Sequence, residues 1–323
     1  MSRAGVGPTL ALIGALAAST ALALPDGAAA LTPPPPKPPL ASTGYAGPLT
    51  ISSASLNVRI NPRGLATEYY VQYGPTTAYG FQTPTASAGN GTQETKFAVL
   101  VTGLQPGTLY HYRVVAASSA GTTDGQDAAF TTKAIPLSMT ITTAPDPVVF
   151  GKRLSVFGAL SGTGNAGVAV VLQADSFPYT HGFSNIGNSQ ITDPAGEFMF
   201  ALPHLSASAT LRVALVSNPN VHSRGIIEHV AVSVTLHVRP ATHRGFVRFY
   251  GTVTPRQSHA PVVLERLSHG HEYAVVGHTK LEPAPHGVSQ FSRILRLRPG
   301  TYRVLVRDYG SQVSGLSHSI LVR

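Results

Sequence analysis

The run "LQPGTLYHYRVVAASSAG", residues 104–121, is partly repeated almost two hundred residues later as "LRPGTYRVLV", residues 297–306. In each copy a Leu-x-Pro-Gly-Thr phrase precedes a Tyr-bearing run of alternating character. Proline fixes the first φ of a tight turn and glycine supplies the positive one, so Pro106 and Gly107 form a corner. Beyond that corner Tyr110, Tyr112 and Val114 share one side of a strand, and His111 and Arg113 share the other. In the second copy Tyr302, Val304 and Val306 face inward, which sends Arg303 and Arg307 outward. Before it Leu295 and Leu297 face inward and Arg296 and Arg298 outward. Between the two copies "LPHLSASATLRV", residues 202–213, fills the same place. A corner feeding an alternating strand is a device of β-sandwiches, and three corners read as three sandwiches in series.

The composition agrees. Charged residues make up 11% of the chain, with 32 Gly and 26 Pro, which suits many short strands joined by turns rather than long surface helices. Its 323 residues allow two or three domains with separate cores. There is no Cys, so disulfides, thiolate zinc sites and Cys nucleophiles are excluded. Arg3, the apolar Leu10–Leu24 stretch and Ala28-Ala29-Ala30 have the layout of a secretory signal over 1–30. Cleavage after Ala23 or Ala30, or retention as an anchor, are all open. The expected location is secreted, extracellular or cell-surface, with no transmembrane span in the mature chain. Residues 31–42 open "LTPPPPKPPLASTG" and read as a Pro-rich, extended linker, since proline lacks the ladder donor.

From Leu49 to Thr132 the pattern is strand, turn, strand: "SLNVRINP", "EYYVQYG", "KFAVLVTGL", then the opening run and a hairpin. The phrases "GLATEYYVQYGPTTAYG", "VTGLQPGTLYHYRVVAASSAG" and the closing "FTT" resemble a fibronectin type III domain of a bacterial extracellular protein, over residues 43–133. The resemblance implies that Tyr110 makes a corner whose hydroxyl bonds nearby backbone. The early-strand Trp of that family is missing, and Leu56 or Val58 is expected in its space.

Residues 136–323 hold a fainter repeat. "VFGALSGTGNAGVAVVLQ" aligns with "RFYGTVTPRQSHAPVVLE", "TLRVALV" with "TYRVLVR", and Phe198 with Phe291. "TDPAGEF", residues 192–198, reads as a turn returning Phe198 to the core. These modules, 136–235 and 236–323, are similar to bacterial immunoglobulin-like and prealbumin-like surface modules. The expected fold is therefore all-β, with three tandem β-sandwich domains, one fibronectin type III and two immunoglobulin-like, after a signal peptide and linker.

Charge is uneven. Residues 236–323 hold 12 Lys and Arg against 4 Asp and Glu, and 8 of the 13 His. An electrostatic partner should meet this part. The candidate anion-binding residues are Arg296, Arg298, Arg303 and Arg307. A tight hairpin at Pro299-Gly300 would set Arg296 opposite Arg303, whereas a crossing between sheets would part the pairs. The partners such a patch suits are an anionic cell-envelope polysaccharide or surface polymer, or a surface protein. Nucleic acid meets the electrostatics but not the export.

No nucleophile elbow, zincin helix or phosphate-cradling glycine loop is present, so no catalytic residue, cofactor or metal is assigned. His269, His271 and His278 read as exposed loop imidazoles, and Asp124 and Asp127 as hairpin residues without the further oxygens a calcium site needs. Tyr69, Tyr70, Tyr73, Tyr79 and Phe81 raise sugar stacking, but one alternating set must be core. The expected function is a secreted, non-enzymatic, multi-module binding or adhesion protein. The rivals are a passive spacer or filament component and an extracellular hydrolase acting across a module interface.

Overall fold

The computed structural model describes residues 34–268, 272–296, 298–308 and 310–323, and every regular element among them is a β-strand. The signal reading of 1–30, the first residues of the linker, His269, His271 and Leu297 lie outside the described residues. No helix among the described residues is long and apolar enough to cross a membrane. The chain forms three β-sandwiches in tandem, each with its own core.

The first comprises β1 (Leu40–Leu49), β2 (Ser53–Asn61), β3 (Thr67–Gly74), β4 (Phe81–Gln82), β5 (Ala86–Gly89), β6 (Thr95–Thr102), β7 (Leu109–Ser118), β8 (Gly121–Asp124) and β9 (Ala128–Thr131). One sheet runs β1-β2-β6; the other centres on β3-β7, with β4 and β5 on one flank and β8 and β9 on the other. Every second side chain fills the interior: Leu56, Val58 and Ile60 from one sheet meet Val71, Tyr112 and Val114 from the other. Both Leu56 and Val58 are fully buried. The linker reading of 31–42 ends too late. Strand β1 already starts at Leu40, which pairs with Asn61, because Ala41 has apolar surface to pack against this core.

The second sandwich contains β10 (Ser138–Met139), β11 (Thr142–Ala144), β12 (Val148–Val149), β13 (Leu154–Ser161), β14 (Ala169–Ser176), β15 (Ser184–Asn185), β16 (Gln190–Ile191), β17 (Glu197–Leu202), β18 (Ala209–Leu215), β19 (Ile226–Glu228) and β20 (Val230–Ala231). Strands β10 and β11 pair with β13, which pairs with β17; β14 pairs with β15, β16 and β18, and β18 with β19. The third contains β21 (Ser233–Val234), β22 (His237–Pro240), β23 (Phe246–Thr254), β24 (Pro261–Leu267), β25 (Tyr273–Lys280), β26 (Glu282–Pro283), β27 (Ser289–Arg296), β28 (Gly300–Val306), β29 (Gly315–Leu316) and β30 (Ile320–Val322). Its sheets repeat the plan: β21 and β22 on β23, then β27 and β26; and β25-β24-β28 flanked by β29 and β30.

One local arrangement explains the internal repeat. Gly158 on β13 lies opposite Phe198 on β17, and Gly251 on β23 lies opposite Phe291 on β27. A Cβ on Gly158 would collide with the Thr140 carbonyl and stand 2.9 Å from Phe198 Cζ. A Cβ on Gly251 would collide with the Thr235 carbonyl and stand 2.9 Å from Phe291 Cζ. In both sandwiches the first strand crosses over the glycine and the phenylalanine ring fills beneath it. The threonine N–H then donates to the carbonyl of the residue after the glycine, Thr140 to Ala159 O and Thr235 to Thr252 O, both at 2.9 Å, and its hydroxyl accepts the return N–H bond at 3.2 and 2.8 Å. The "TDPAGEF" turn closes as Asp193 Oδ1 accepts from the N–H groups of Ala195 and Glu197 at 2.9 and 2.8 Å.

The second and third sandwiches meet without a spacer. Val230 belongs to the second core and Val232 to the third, so the division falls at Ala231 and not after residue 235. Val230, Val232 and Val234 share one side of the run, and that side leaves the second interior and enters the third between Val230 and Val232. Val313 N–H donates to Val230 O at 2.9 Å, and Ser208 N–H to Ser311 O at 3.0 Å. Buried Gln312 donates to Ser206 O at 3.0 Å and accepts from Gln257 at 2.8 Å. Glu228, also at this end, is fully buried; its Oε1 accepts from Val148 N–H at 3.2 Å and its Oε2 has no partner. Burial holds this carboxyl above the ordinary carboxylate range, against the opposing pull of the Thr143 and Val148 hydrogen bonds.

Candidate functional site

The third sandwich carries a cationic face on the outside of its β22-β23-β27 sheet. Strand β23 alternates: Val247, Phe249 and Val253 are buried, while Arg248 and Tyr250 turn outward between them. Strand β22 pairs with it so that His237 faces Tyr250 and Arg239 faces Arg248. On the other side Arg248 faces Ile294, and Phe246 faces Arg296, on β27. Three arginines thus project from one sheet face. The Arg239 guanidinium lies 5.2 Å from the Tyr250 ring centroid, and the His237 ring 5.5 Å from it. Arg248 Nη1 donates to Ser292 Oγ at 3.2 Å. Among the described residues none of the three arginines has a carboxylate within ion-pairing distance. Beside them a groove is lined by Arg239, Arg248, Tyr250, Glu282, Gln290 and Ser292.

The same positions in the second sandwich show what the fold itself requires. There the pair facing one another is Ala144 and Ser155, four residues after Thr140 and three before Gly158, as Arg239 and Arg248 stand to Thr235 and Gly251. The matching groove is lined by Phe157, Ile191, Asp193, Glu197 and Met199, with no cation. The arginine pair is an addition to the shared scaffold. Like charges placed directly opposite cost about 0.2–1 kcal/mol.

Of the four arginines singled out in the sequence, the structure brings only Arg296 to this face. The chain crosses between sheets after Arg296: β27 lies in one sheet and β28 in the other, so Arg296 and Arg303 are not neighbours. Arg303 is engaged, its Nε donating to Glu265 Oε2 at 2.7 Å and its guanidinium lying 3.6 Å from the Tyr273 centroid. Exposed Arg298 gives its carbonyl to the Tyr302 hydroxyl at 2.7 Å, and Arg307 is exposed at the end of β28. Arg239, Arg248, His237 and Tyr250 went unread. Their signal is the alternation of "HVRP" and "FVRFY", where polar residues interleave with Val238, Val247 and Phe249.

At the first corner Gly107 has φ +61°, and Tyr110 Oη accepts from Gln105 N–H at 3.0 Å. Tyr302 makes a corner of the opposite polarity by donating to Arg298, and Leu211 leaves the second sandwich without one. The aromatic set of the first sandwich divides: Tyr69 is buried, whereas Tyr73 stacks on exposed Phe81 at 5.6 Å. Asp124 pairs with Arg113 at 2.8 Å; Asp127 accepts from the Tyr79 hydroxyl at 3.0 Å and pairs with His111 at 2.8 Å. Both carboxylates are thus held by side chains. Among the described residues no three His, Cys, Asp or Glu gather as metal ligands.

Residues 47–132 match the family model of the Purple acid Phosphatase, N-terminal domain, an immunoglobulin- and fibronectin-like unit. That match covers the first sandwich alone. No curated protein matches the chain. Among solved structures, the sensor domain of the anti-sigma factor RsgI4 of Pseudobacteroides cellulosolvens is 15% identical, covering 30% of this chain and 96% of that one, with a TM-score of 0.25. The tetra-tandem repeat in the extending region of a large adhesion protein is 12% identical over 88% of this chain and 74% of that one, with a TM-score of 0.36. The FN1–FN3 domains of chicken CNTN1 are 13% identical over 90% of this chain and all of that one, with a TM-score of 0.28. The class defined by the fold is a tandem array of three antiparallel β-sandwiches. At these identities and scores no ligand transfers from the matched structures.

Proposed function

We propose that this chain is a secreted, non-enzymatic binding or adhesion protein, held to an anionic polymer of the cell envelope by the outer face of its third sandwich. The observation that carries this reading is the arginine pair Arg239–Arg248, directly opposed and flanked by Arg296 across β23. The second sandwich builds the same sheet with Ala144 and Ser155, so folding does not call for these charges. A face that sets like charges side by side at a cost is offset when an anion lies between them. The N-terminal layout of Arg3, an apolar stretch and Ala28-Ala29-Ala30 supports export.

The test is co-sedimentation of the full chain with purified envelope at rising salt. Replacing Arg239 by Ala, Arg248 by Ser and Arg296 by Ser should abolish retention, while Arg298→Ser with Arg307→Ser should leave it. Retention by the arginine face should also fade steeply as salt shortens the screening length from about 10 Å at 0.1 M to about 3 Å at 1 M. Equal retention of both variants refutes the arginine face as the point of attachment, and no retention of the unaltered chain leaves a passive spacer.

A further inference from the structure

The groove beside the arginines is not uniformly cationic, and its other side chains specify more than charge. Glu282 on β26 and Gln290 on β27 face one another across the register, and both line the groove with Ser292. Resting on the anion-binding reading of this face, we propose that the groove accommodates one uronic acid residue of an acidic polysaccharide. The sugar carboxylate lies between the Arg239 and Arg248 guanidiniums, whose planar forks match a carboxylate bidentately. The ring hydroxyls then face Glu282, Gln290 and Ser292. A carboxylate side chain accepts hydrogen bonds from hydroxyl groups and repels a second anion. Glu282 therefore favours a unit whose one carboxylate is accompanied by neutral hydroxyl donors, as in each residue of a polyuronate, and it disfavours a polyphosphate, which presents only anionic oxygens there. Tyr250 gives the edge of the groove a flat apolar surface for the ring carbons.

The probes are an oligogalacturonate, a neutral galactan of equal length, and inorganic polyphosphate, each titrated calorimetrically into the full chain. The oligogalacturonate should bind at least about tenfold more tightly than the galactan, since the arginine pair contributes only to the acid. Arg239→Ala with Arg248→Ser restores the pair found in the second sandwich, so a folded variant is expected, and a thermal melt verifies it. That variant should lose the uronate preference. Glu282→Gln should weaken oligogalacturonate several-fold and strengthen polyphosphate. If polyphosphate binds as well as oligogalacturonate, or if Glu282→Gln strengthens both, the face reads charge alone. The sugar assignment then falls while the anionic-polymer reading stands. No binding of oligogalacturonate also overturns the sugar assignment. Envelope retention that ignores the three-arginine variant instead overturns the broader reading.

Discussion

Replacing Gly251 by Ala tests the packing that the two C-terminal sandwiches share. Gly251 has no positive φ, so on an open strand the change would stabilise the chain by about 0.4–1 kcal/mol through the unfolded state. Here the added methyl meets the Thr235 carbonyl and Phe291 Cζ. The backbone oxygen belongs to a strand held by Thr235 N–H on Thr252 O, and it has no rotamer to change. Overpacking of this kind costs about 1–3 kcal/mol, which outweighs the entropic gain. For a domain of this size each kcal/mol moves the thermal midpoint by about 4–8 °C, so the third sandwich should melt roughly 5–15 °C lower. Differential scanning calorimetry of the full chain measures this, and Gly158→Ala should produce the same loss in the second sandwich. Adding Phe291→Leu to Gly251→Ala should recover part of the loss, because it relieves the ring and not the carbonyl. A higher midpoint for Gly251→Ala would refute the crossing of the first strand over the glycine.

Three further outcomes are expected. The raised Glu228 carboxyl stabilises the fold fully below its unfolded value near 4.5, and this contribution is lost as pH rises through the elevated folded value. Glu228→Gln should therefore stabilise by about 1 kcal/mol at pH 7 and by almost nothing at pH 4, as read by urea melts at both pH values. Tyr302→Phe removes the bond to the Arg298 carbonyl and should cost about 0.5–1.5 kcal/mol in the same melts; an unchanged midpoint would show that the corner bond contributes nothing. Arg239→Ala with Arg248→Ser should leave the third sandwich as stable or more stable by a few tenths of a kcal/mol, while envelope binding is lost; destabilisation would mean that the pair serves the fold.

Much of the architecture was legible because short-range rules govern it. Pro106-Gly107 and the alternation of Tyr110, Tyr112 and Val114 are local, and each follows from φ preferences and a period of two. The matching slots of Phe198 and Phe291 were visible in the repeat, although the glycine each one fills beneath is a cross-strand fact. Pro299-Gly300 was ambiguous for a physical reason: the same dipeptide closes a hairpin or turns a chain between sheets, and only the partners of β27 and β28 decide. The arginine face was illegible for a related reason. Arg239, Arg248 and Arg296 sit on three strands, and their adjacency depends on register, which the third module's own hydrophobic pattern constrains but does not reveal. The engagement of Arg303 by Glu265 was hidden likewise, since 38 positions separate them.

The handover at Ala231 has a mechanical consequence. With one residue between side chains anchored in separate interiors, a swivel about that point has to break the bonds of Val313 to Val230, Ser208 to Ser311 and Gln312 to Ser206. Torque applied to the second sandwich therefore reaches the third as a lever acts on its fulcrum, and the aim of the Arg239–Arg248 surface is set by the body before it.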